Sequence, residues 1–229
     1  MKKYGFYHIY CVNDWKDIFE NQINKLIASK VLDFIDKMYI TINYILEEDL
    51  VYIKEKIKNL NVEIVYFSKE NKYEFPALEK IKEICKIEEC YVFYFHTKGS
   101  SINEKNKTFY HNSSDLKHLK NCVNDWREYM EYFIIENYNK CLDVLLENDA
   151  CGVNLVSEPS NHFSGNFWWS KSSYINKLQG FSSVNQNHRW NAEFWIGSGN
   201  GKLYSFMNNG AGYKKRINRE EYIFKNENN

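Results

Sequence analysis

The chain is poor in proline, in net charge and in long apolar runs, and each shortage closes off a class of protein. Two prolines in 229 residues, beside 44% hydrophobic content, argue for a folded globule rather than a disordered polymer. Thirty basic and thirty acidic side chains cancel, so no global field favours nucleic acid or an anionic membrane as a partner. No stretch approaches the roughly 20 apolar residues of a membrane span. The basic amino-terminal residues are followed by no apolar signal-peptide core. A soluble, cytoplasmic protein is the expectation. The six cysteines (11, 85, 90, 122, 141 and 151) form no CxxC knuckle, and several sit in apolar runs. Buried free thiols in a reducing compartment are expected.

Several motifs are missing too. Neither GxxxxGK[ST] nor GxGxxG occurs, which disfavours ATP and dinucleotides. No GxSxG elbow supports a serine hydrolase. The histidines at 8, 96, 111, 118, 162 and 188 lack HxxxH or HExxH spacing, so no metal site is read from them.

What is present is an alternation. β-prone runs at 5–12, 38–44, 61–67 and 89–95 are separated by amphipathic segments at 15–27, 47–59 and 75–85. Asn13 and Asp14 are expected to cap the first helix and Pro76 to open the third. The fourth run is continuously apolar, as in a strand buried on both faces of a parallel sheet. Residues 102–114 read as a polar loop, 115–148 as two helices, 150–156 as a fifth strand and 203–206 as a short one. The expected fold is α/β, a single Rossmann-like domain over 1–229 with a mostly parallel central sheet flanked by helices. Its core is placed at about 4–206 and a tail at about 207–229, whose basic run at 214–219 reads as solvated.

In such sheets ligands bind beyond the carboxyl ends of the strands. That rule points to His96, Thr97, Lys98 and Gly99, followed by Ser100 and Ser101. A cation, hydroxyls and a glycine that permits close approach suit a diphosphate or a sugar's hydroxyls; an ordinary polar turn is the competing reading. Asn161 to Ser170 mixes His162, Gly165 and Asn166 with the adjacent Trp168 and Trp169. As a loop, it would offer flat aromatic faces and short polar groups to a sugar. Core packing of either indole, or His162 hydrogen-bonded into the loop, is the alternative. Glu193, between Trp190, Phe194 and Trp195, is a candidate general base whose apolar surroundings would raise its pKa. Arg189 would pair with it across one helical turn or bind a phosphate; a structural ion pair is the competing reading.

Taken in order, residues 96–99, 124–133, 152–154, 162–169 and 189–195 make the chain resemble the small GT-A-like glycosyltransferases of bacterial and viral polysaccharide loci, of the rhamnan-synthesis type. The resemblance runs from the first strand to about Gly199. It implies a GT-A fold with a nucleotide-sugar donor across the end of the first strand and the loop after the fourth. Tyr10 to Asn13 would lie near the nucleotide, and His96 to Gly99 would replace the Asp-x-Asp metal ligands of many such enzymes. Gly165 to Trp169 would form the acceptor loop, and Glu193 would deprotonate the acceptor. The resemblance brings with it Mg²⁺ or Mn²⁺, but no Asp-x-Asp follows strand four, and Lys98 and His96 are the alternative partners of the leaving diphosphate.

The expected activity is glycosyl transfer by direct displacement, with inversion, from a nucleotide-sugar to a carbohydrate acceptor in surface polysaccharide synthesis. Tyr10, Asn13, His96, Thr97, Lys98 and Gly99 would hold the donor. His162, Gly165, Asn166, Trp168, Trp169 and Arg189 would hold the acceptor, and Glu193 would be the base. A non-catalytic glycan- or nucleotide-binding module on the same fold is the alternative. A glycoside hydrolase ranks last, because it needs two facing carboxylates and only Glu158 stands near Glu193 in the sequence.

Overall fold

The computed structural model describes residues 1–109, 115–210 and 212–227. The first half alternates, with one extra helical turn: β1 (Lys2–Tyr10), α1 (Trp15–Ala28), the single turn α2 (Val31–Phe34), β2 (Lys37–Asn43), α3 (Glu47–Ile57), β3 (Val62–Ser68), α4 (Phe75–Ile87) and β4 (Cys90–His96). The second half is α5 (Leu116–Glu131), α6 (Tyr138–Val144), β5 (Ala150–Gly152), β6 (Leu155–Val156), β7 (His162–Phe163), β8 (Trp168–Lys171), α7 (Ser172–Ile175), α8 (Trp190–Phe194), β9 (Leu203–Ser205) and α9 (Arg219–Glu227). Of the loop expected at 102–114, residues 110–114 lie outside the described residues.

Seven strands form one sheet in the order β3-β2-β1-β4-β8-β5-β9. β1 pairs in parallel with β2 and β4, β2 with β3, and β5 with β9, whereas β8 runs antiparallel between β4 and β5. The α/β class and the mostly parallel sheet flanked by helices, expected from the alternation, are what the chain builds. β6 and β7 form a separate two-stranded ribbon.

Because successive strand residues face opposite ways, the sheet divides its apolar residues between two cores. Phe93, Phe95 and Trp169 enter one, with Tyr7 of β1 and side chains of α1, α3 and α5; Val92, Tyr94 and Trp168 enter the other, against α4 and α7. The aromatic excess serves this sheet. Tyr7 stacks on Phe95 at 4.3 Å, Phe95 lies 5.8 Å from Phe93, and Phe93 stacks on Trp169 at 4.5 Å, a row of rings crossing β1, β4 and β8.

Here the reading of residues 161–170 is corrected. Trp168 and Trp169 are both fully buried, on opposite faces of β8, so neither indole offers a face to a sugar. One core accepts only one of two adjacent strand residues, but this sheet has a core on each side. The Trp169 indole N–H donates to the Ile134 carbonyl at 2.8 Å. That carbonyl lies in a π turn, Tyr132–Glu136, which joins α5 to α6 where two helices are expected.

Other local expectations shift for identifiable reasons. Asp14 stands at the N-cap of α1 but makes no capping bond there, and pairs with Lys120 instead. The fifth strand stops at Gly152, where an added Cβ would meet the Phe163 ring at 2.7 Å. The segment after residue 206 is not solvated throughout: Ile217 and Tyr222 are buried, Arg216 pairs with Asp125, and Arg219 pairs with Glu136 at 2.6 Å. All six cysteines are buried and free. Among the described residues no helix is long and apolar enough to cross a membrane.

Trp169→Ala removes a fully buried indole from the aromatic row and leaves the Ile134 carbonyl without its donor. Chemical denaturation of this variant is expected to show a loss of about 3–5 kcal/mol.

Candidate active site

The site lies beyond the carboxyl ends of β1 and β4. Thr97 N–H continues the ladder to the His8 carbonyl at 3.1 Å, and the Thr97 hydroxyl accepts from Tyr10 N–H at 2.9 Å. Asn13, at φ 49°, donates its amide to the Ser100 carbonyl at 2.8 Å. Gly99 has φ 97°, and a Cβ there would meet Val123 Cγ1 at 2.9 Å, so a side chain is excluded by strain and by space. Arg127 of α5 donates to the Lys98 carbonyl at 3.0 Å.

Arg127 belongs to a buried polar network that joins residues of the 124–133 stretch to Gln22 and Lys25 of α1. Glu131 is fully buried; it pairs with Arg127 Nε at 3.4 Å and Lys25 at 2.5 Å, and accepts from Gln22 Nε2 at 2.7 Å. Gln22 Nε2 also donates to the His96 carbonyl at 3.0 Å, while Gln22 Oε1 accepts from the Tyr7 hydroxyl at 2.7 Å. Breaking one partner out of such a set leaves an uncompensated buried charge, at a cost of about 3–5 kcal/mol. The network fixes the end of β4 from below.

From the other side the same strand end is held by the turn after β7. Asn166 N–H closes the turn on the Phe163 carbonyl at 2.8 Å. Gly165 and Asn166 both have positive φ, 95° and 59°. A Cβ on Gly165 would meet Met130 Sδ at 2.4 Å. The Gly165 carbonyl accepts from His96 Nε2 at 3.0 Å, and the Gly165 N–H donates to Glu193 Oε1 at 2.5 Å. Asn166 Nδ2 donates to Glu74 Oε2 at 2.6 Å, and Asn166 Oδ1 accepts from the Trp168 indole at 2.8 Å. Glu74 Oε2 also accepts from the Tyr94 hydroxyl at 2.8 Å. One turn therefore binds β4, α8, β8 and the residue that precedes α4.

Between these elements opens a cleft of about 360 Å³ lined by Tyr10, His96, Thr97, Lys98, Gly99, Arg189 and Glu193, together with His8, Glu74, Trp190 and Tyr213. The sequence-predicted base and the predicted cation thus share one cleft. Asn13 lines a neighbouring cavity of about 510 Å³ with Tyr10, Trp15, Leu46 and Asp49. Lys98 Nζ lies 4.5 Å from the Trp126 ring centre and 5.7 Å from that of Tyr213. Burial opposes its charge, but Tyr213, Glu193 and Glu74 outweigh burial and hold it above the usual lysine range. It is a fixed ammonium.

His96 is not a second cation. Burial, aided by Lys98, holds its pKa down at about 3. A carbonyl only accepts, so the bond to Gly165 puts the ring proton on Nε2. His8 is likewise kept neutral by burial, at about 4, with Nδ1 2.9 Å from the Thr41 hydroxyl. The expectation that His96 neutralises a diphosphate is corrected accordingly; Lys98 and Arg189 carry the positive charge of the cleft.

The remaining acceptor residues expected from the sequence play supporting parts. His162 is buried, with Nδ1 2.7 Å from the Ser160 carbonyl and its ring 5.0 Å from that of Phe194, outside the residues lining the cleft. Gly165 and Asn166 are buried and act through hydrogen bonds to cleft residues. Glu193 is not walled in by aromatics: Trp195 packs away from it against Phe181 and donates to the Gln179 carbonyl, and Trp190 is 40% exposed with Arg189 stacked 4.3 Å over it. Glu74 and His8 escaped the sequence reading. Glu74 follows the end of β3 and precedes Phe75-Pro76 at a helix start, the same strand-end logic that marks His96. Among the described residues no three His, Cys, Asp or Glu side chains gather to hold a metal. Glu74, Glu193 and Lys98 line the same cleft, so its two carboxylates share it with a fixed cation.

The neutral histidines make stability pH-dependent. Both fold with pKa values below the ordinary 6.5, so on acidification the unfolded chain takes up protons first. Their contribution is complete above about pH 6.5 and is lost as pH falls towards the folded values. Denaturation midpoints are expected to fall from about pH 7 to about pH 5, and less steeply in His8→Asn than in the wild type.

No curated protein matches the sequence. Solved structures give distant similarities. The 4-diphosphocytidyl-2C-methyl-D-erythritol synthase of Anaerococcus prevotii is 13% identical at a TM-score of 0.47, over 99% of this chain and 95% of that one. HddC of Yersinia pseudotuberculosis is 11% identical at 0.49, over 100% and 99%. Residues 1–349 of TarS from S. aureus are 11% identical at 0.42, over 92% and 59%. A family model matches residues 6–189, most of the sheet and most of the cleft, and the chain belongs to that family, described as a domain of unknown function (DUF8361).

Proposed function

We propose that this protein transfers a glycosyl group from a nucleotide-sugar donor to a carbohydrate acceptor, in the synthesis of a surface polysaccharide. The observation that carries the reading is the sharing of one cleft by the Glu193 carboxylate and the Lys98 ammonium at the carboxyl ends of β1 and β4. The acceptor hydroxyl attacks the anomeric carbon as the bond from that carbon to the diphosphate breaks. The proton passes to Glu193, the electron pair leaves on the diphosphate, and the anomeric configuration inverts. Glu193 Oε1 is occupied by the Gly165 N–H, which orients the carboxylate for proton transfer through Oε2. Lys98 faces the leaving diphosphate, a fixed charge already in place when negative charge develops. Tyr10 and Asn13 line the adjoining cavity, which suits the nucleoside. Arg189, stacked on the exposed Trp190, provides the acceptor side of the rim. Positive charge is supplied by Lys98 and Arg189 rather than by Mg²⁺ or Mn²⁺.

Glu74 favours a second reading, a glycoside hydrolase, since it brings to the cleft the second carboxylate which that chemistry requires. The two readings differ in their need for a donor: a hydrolase releases sugar from a glycan with no nucleotide-sugar present.

With the cognate donor and acceptor, Glu193→Gln keeps an oxygen for the Gly165 N–H and loses the base. Its kcat is expected to fall about 10²–10⁴-fold, and wild-type turnover is expected to survive chelation by EDTA. Unchanged turnover in Glu193→Gln removes the base assignment, and loss of activity in EDTA removes the metal-free account.

A further inference from the structure

The proposed transfer uses Glu193, Lys98 and Arg189 but gives no part to Glu74, which lines the same cleft. The two carboxylates are mounted alike. Glu193 Oε1 accepts from the Gly165 N–H, and Glu74 Oε2 accepts from Asn166 Nδ2 and the Tyr94 hydroxyl. Each is held through one oxygen by adjacent residues of a single turn. Among the described residues no hydrogen bond reaches the other oxygen, Oε2 of Glu193 or Oε1 of Glu74. The structural duty of Glu74 is therefore discharged by one atom, which leaves the other as a spare acceptor on a residue that lines the cleft. Near Glu74 stand the His8 imidazole, which burial keeps uncharged, and the Lys98 ammonium, whose charge Glu74 supports.

An ionised carboxylate accepts hydrogen bonds and donates none. A cleft with two spare carboxylate oxygens therefore calls for a ligand that donates, such as a ring bearing free hydroxyls. A ligand bearing its own carboxylate has one group fewer to donate, and where it meets Glu74 it sets like charge against like. Such like-charge repulsion rejects the wrong ligand as effectively as hydrogen bonds select the right one.

We infer that Glu74 is a specificity-determining residue, selecting a neutral, hydroxyl-bearing sugar on the donor and rejecting its uronic acid counterpart. The inference rests on the transferase reading.

Calorimetric titration with matched pairs tests it: UDP-glucose against UDP-glucuronate, and GDP-mannose against GDP-mannuronate. The wild type is expected to bind the neutral member of a pair at least about tenfold more tightly, the effect of a single charge-assisted hydrogen bond. Glu74→Gln keeps an oxygen for Tyr94 and Asn166, exchanges the spare acceptor for a donor and removes the charge. In that variant the preference is expected to narrow by about tenfold or to reverse. Glu74→Asp, which keeps the charge, is expected to retain the preference. A purely structural Glu74 would weaken both members equally, and that result overturns the inference, as does equal binding of the two by the wild type. Binding of no nucleotide-sugar at all removes the transferase reading, and the inference with it.

Discussion

The two hydrogen-bonding groups of Gly165 hold the site in one piece. Its N–H fixes Glu193 on α8, and its carbonyl fixes His96 at the end of β4. The next residue, Asn166, ties Glu74 to the Trp168 indole. Three parts of the chain distant in the sequence, and the adjoining β8, thus converge on a turn that needs positive φ at two consecutive residues and has no room for a side chain at the first. Glycine meets both demands at 165. Asparagine tolerates the left-handed conformation at 166 better than most residues, and its amide oxygen and nitrogen are both used.

A turn can orient groups only if the elements it joins are themselves fixed. The Gln22–Glu131–Arg127 network does this for β4, holding the carbonyls of His96 and Lys98. The row of rings from Tyr7 to Trp169 does it for the sheet. The cleft is consequently mounted between two rigid supports, an apolar one within the sheet and a polar one beneath the loop. Lys98 keeps its charge in this setting because Tyr213, Glu193 and Glu74 outweigh the cost of burial, whereas His96, next to that cation and buried, gives its charge up. A lysine and a histidine two residues apart thereby take opposite states.

Much of the frame was legible in the sequence because it is written in local periodicity. The alternation from β1 to β4 needs no long-range information, and the strand-end rule led from it to His96, Lys98 and Gly99. Glu193 was legible as a lone acid among aromatics, although Phe194 and Trp195 pack elsewhere and only Trp190 shares its cleft. Trp168 and Trp169 were misread because a four-residue strand among Gly, Asn and Ser has too little pattern to declare itself, and because its two-sided burial depends on helices far along the chain. Glu74 was missed for a related reason. Its partners, Tyr94 and Asn166, are 20 and 92 residues away, and the strand-end position before Phe75-Pro76, its one local signal, is shared with any glutamate at a helix start in such a sheet. The burial of Ile217 and Tyr222 in a segment that looks solvated is likewise set by tertiary packing.

The central claim is that the cleft binds a sugar nucleotide through its diphosphate, with Lys98 as the fixed cation. Titration of UDP-, GDP- and dTDP-sugars into the wild type and Lys98→Met tests it most directly, the variant keeping a side chain of similar length against Trp126 and Tyr213. The account predicts that at least one donor binds the wild type and binds Lys98→Met at least about tenfold more weakly, as removal of one charge-assisted hydrogen bond requires. Equal affinity for the two proteins, or binding of none of the three to the wild type, would contradict it.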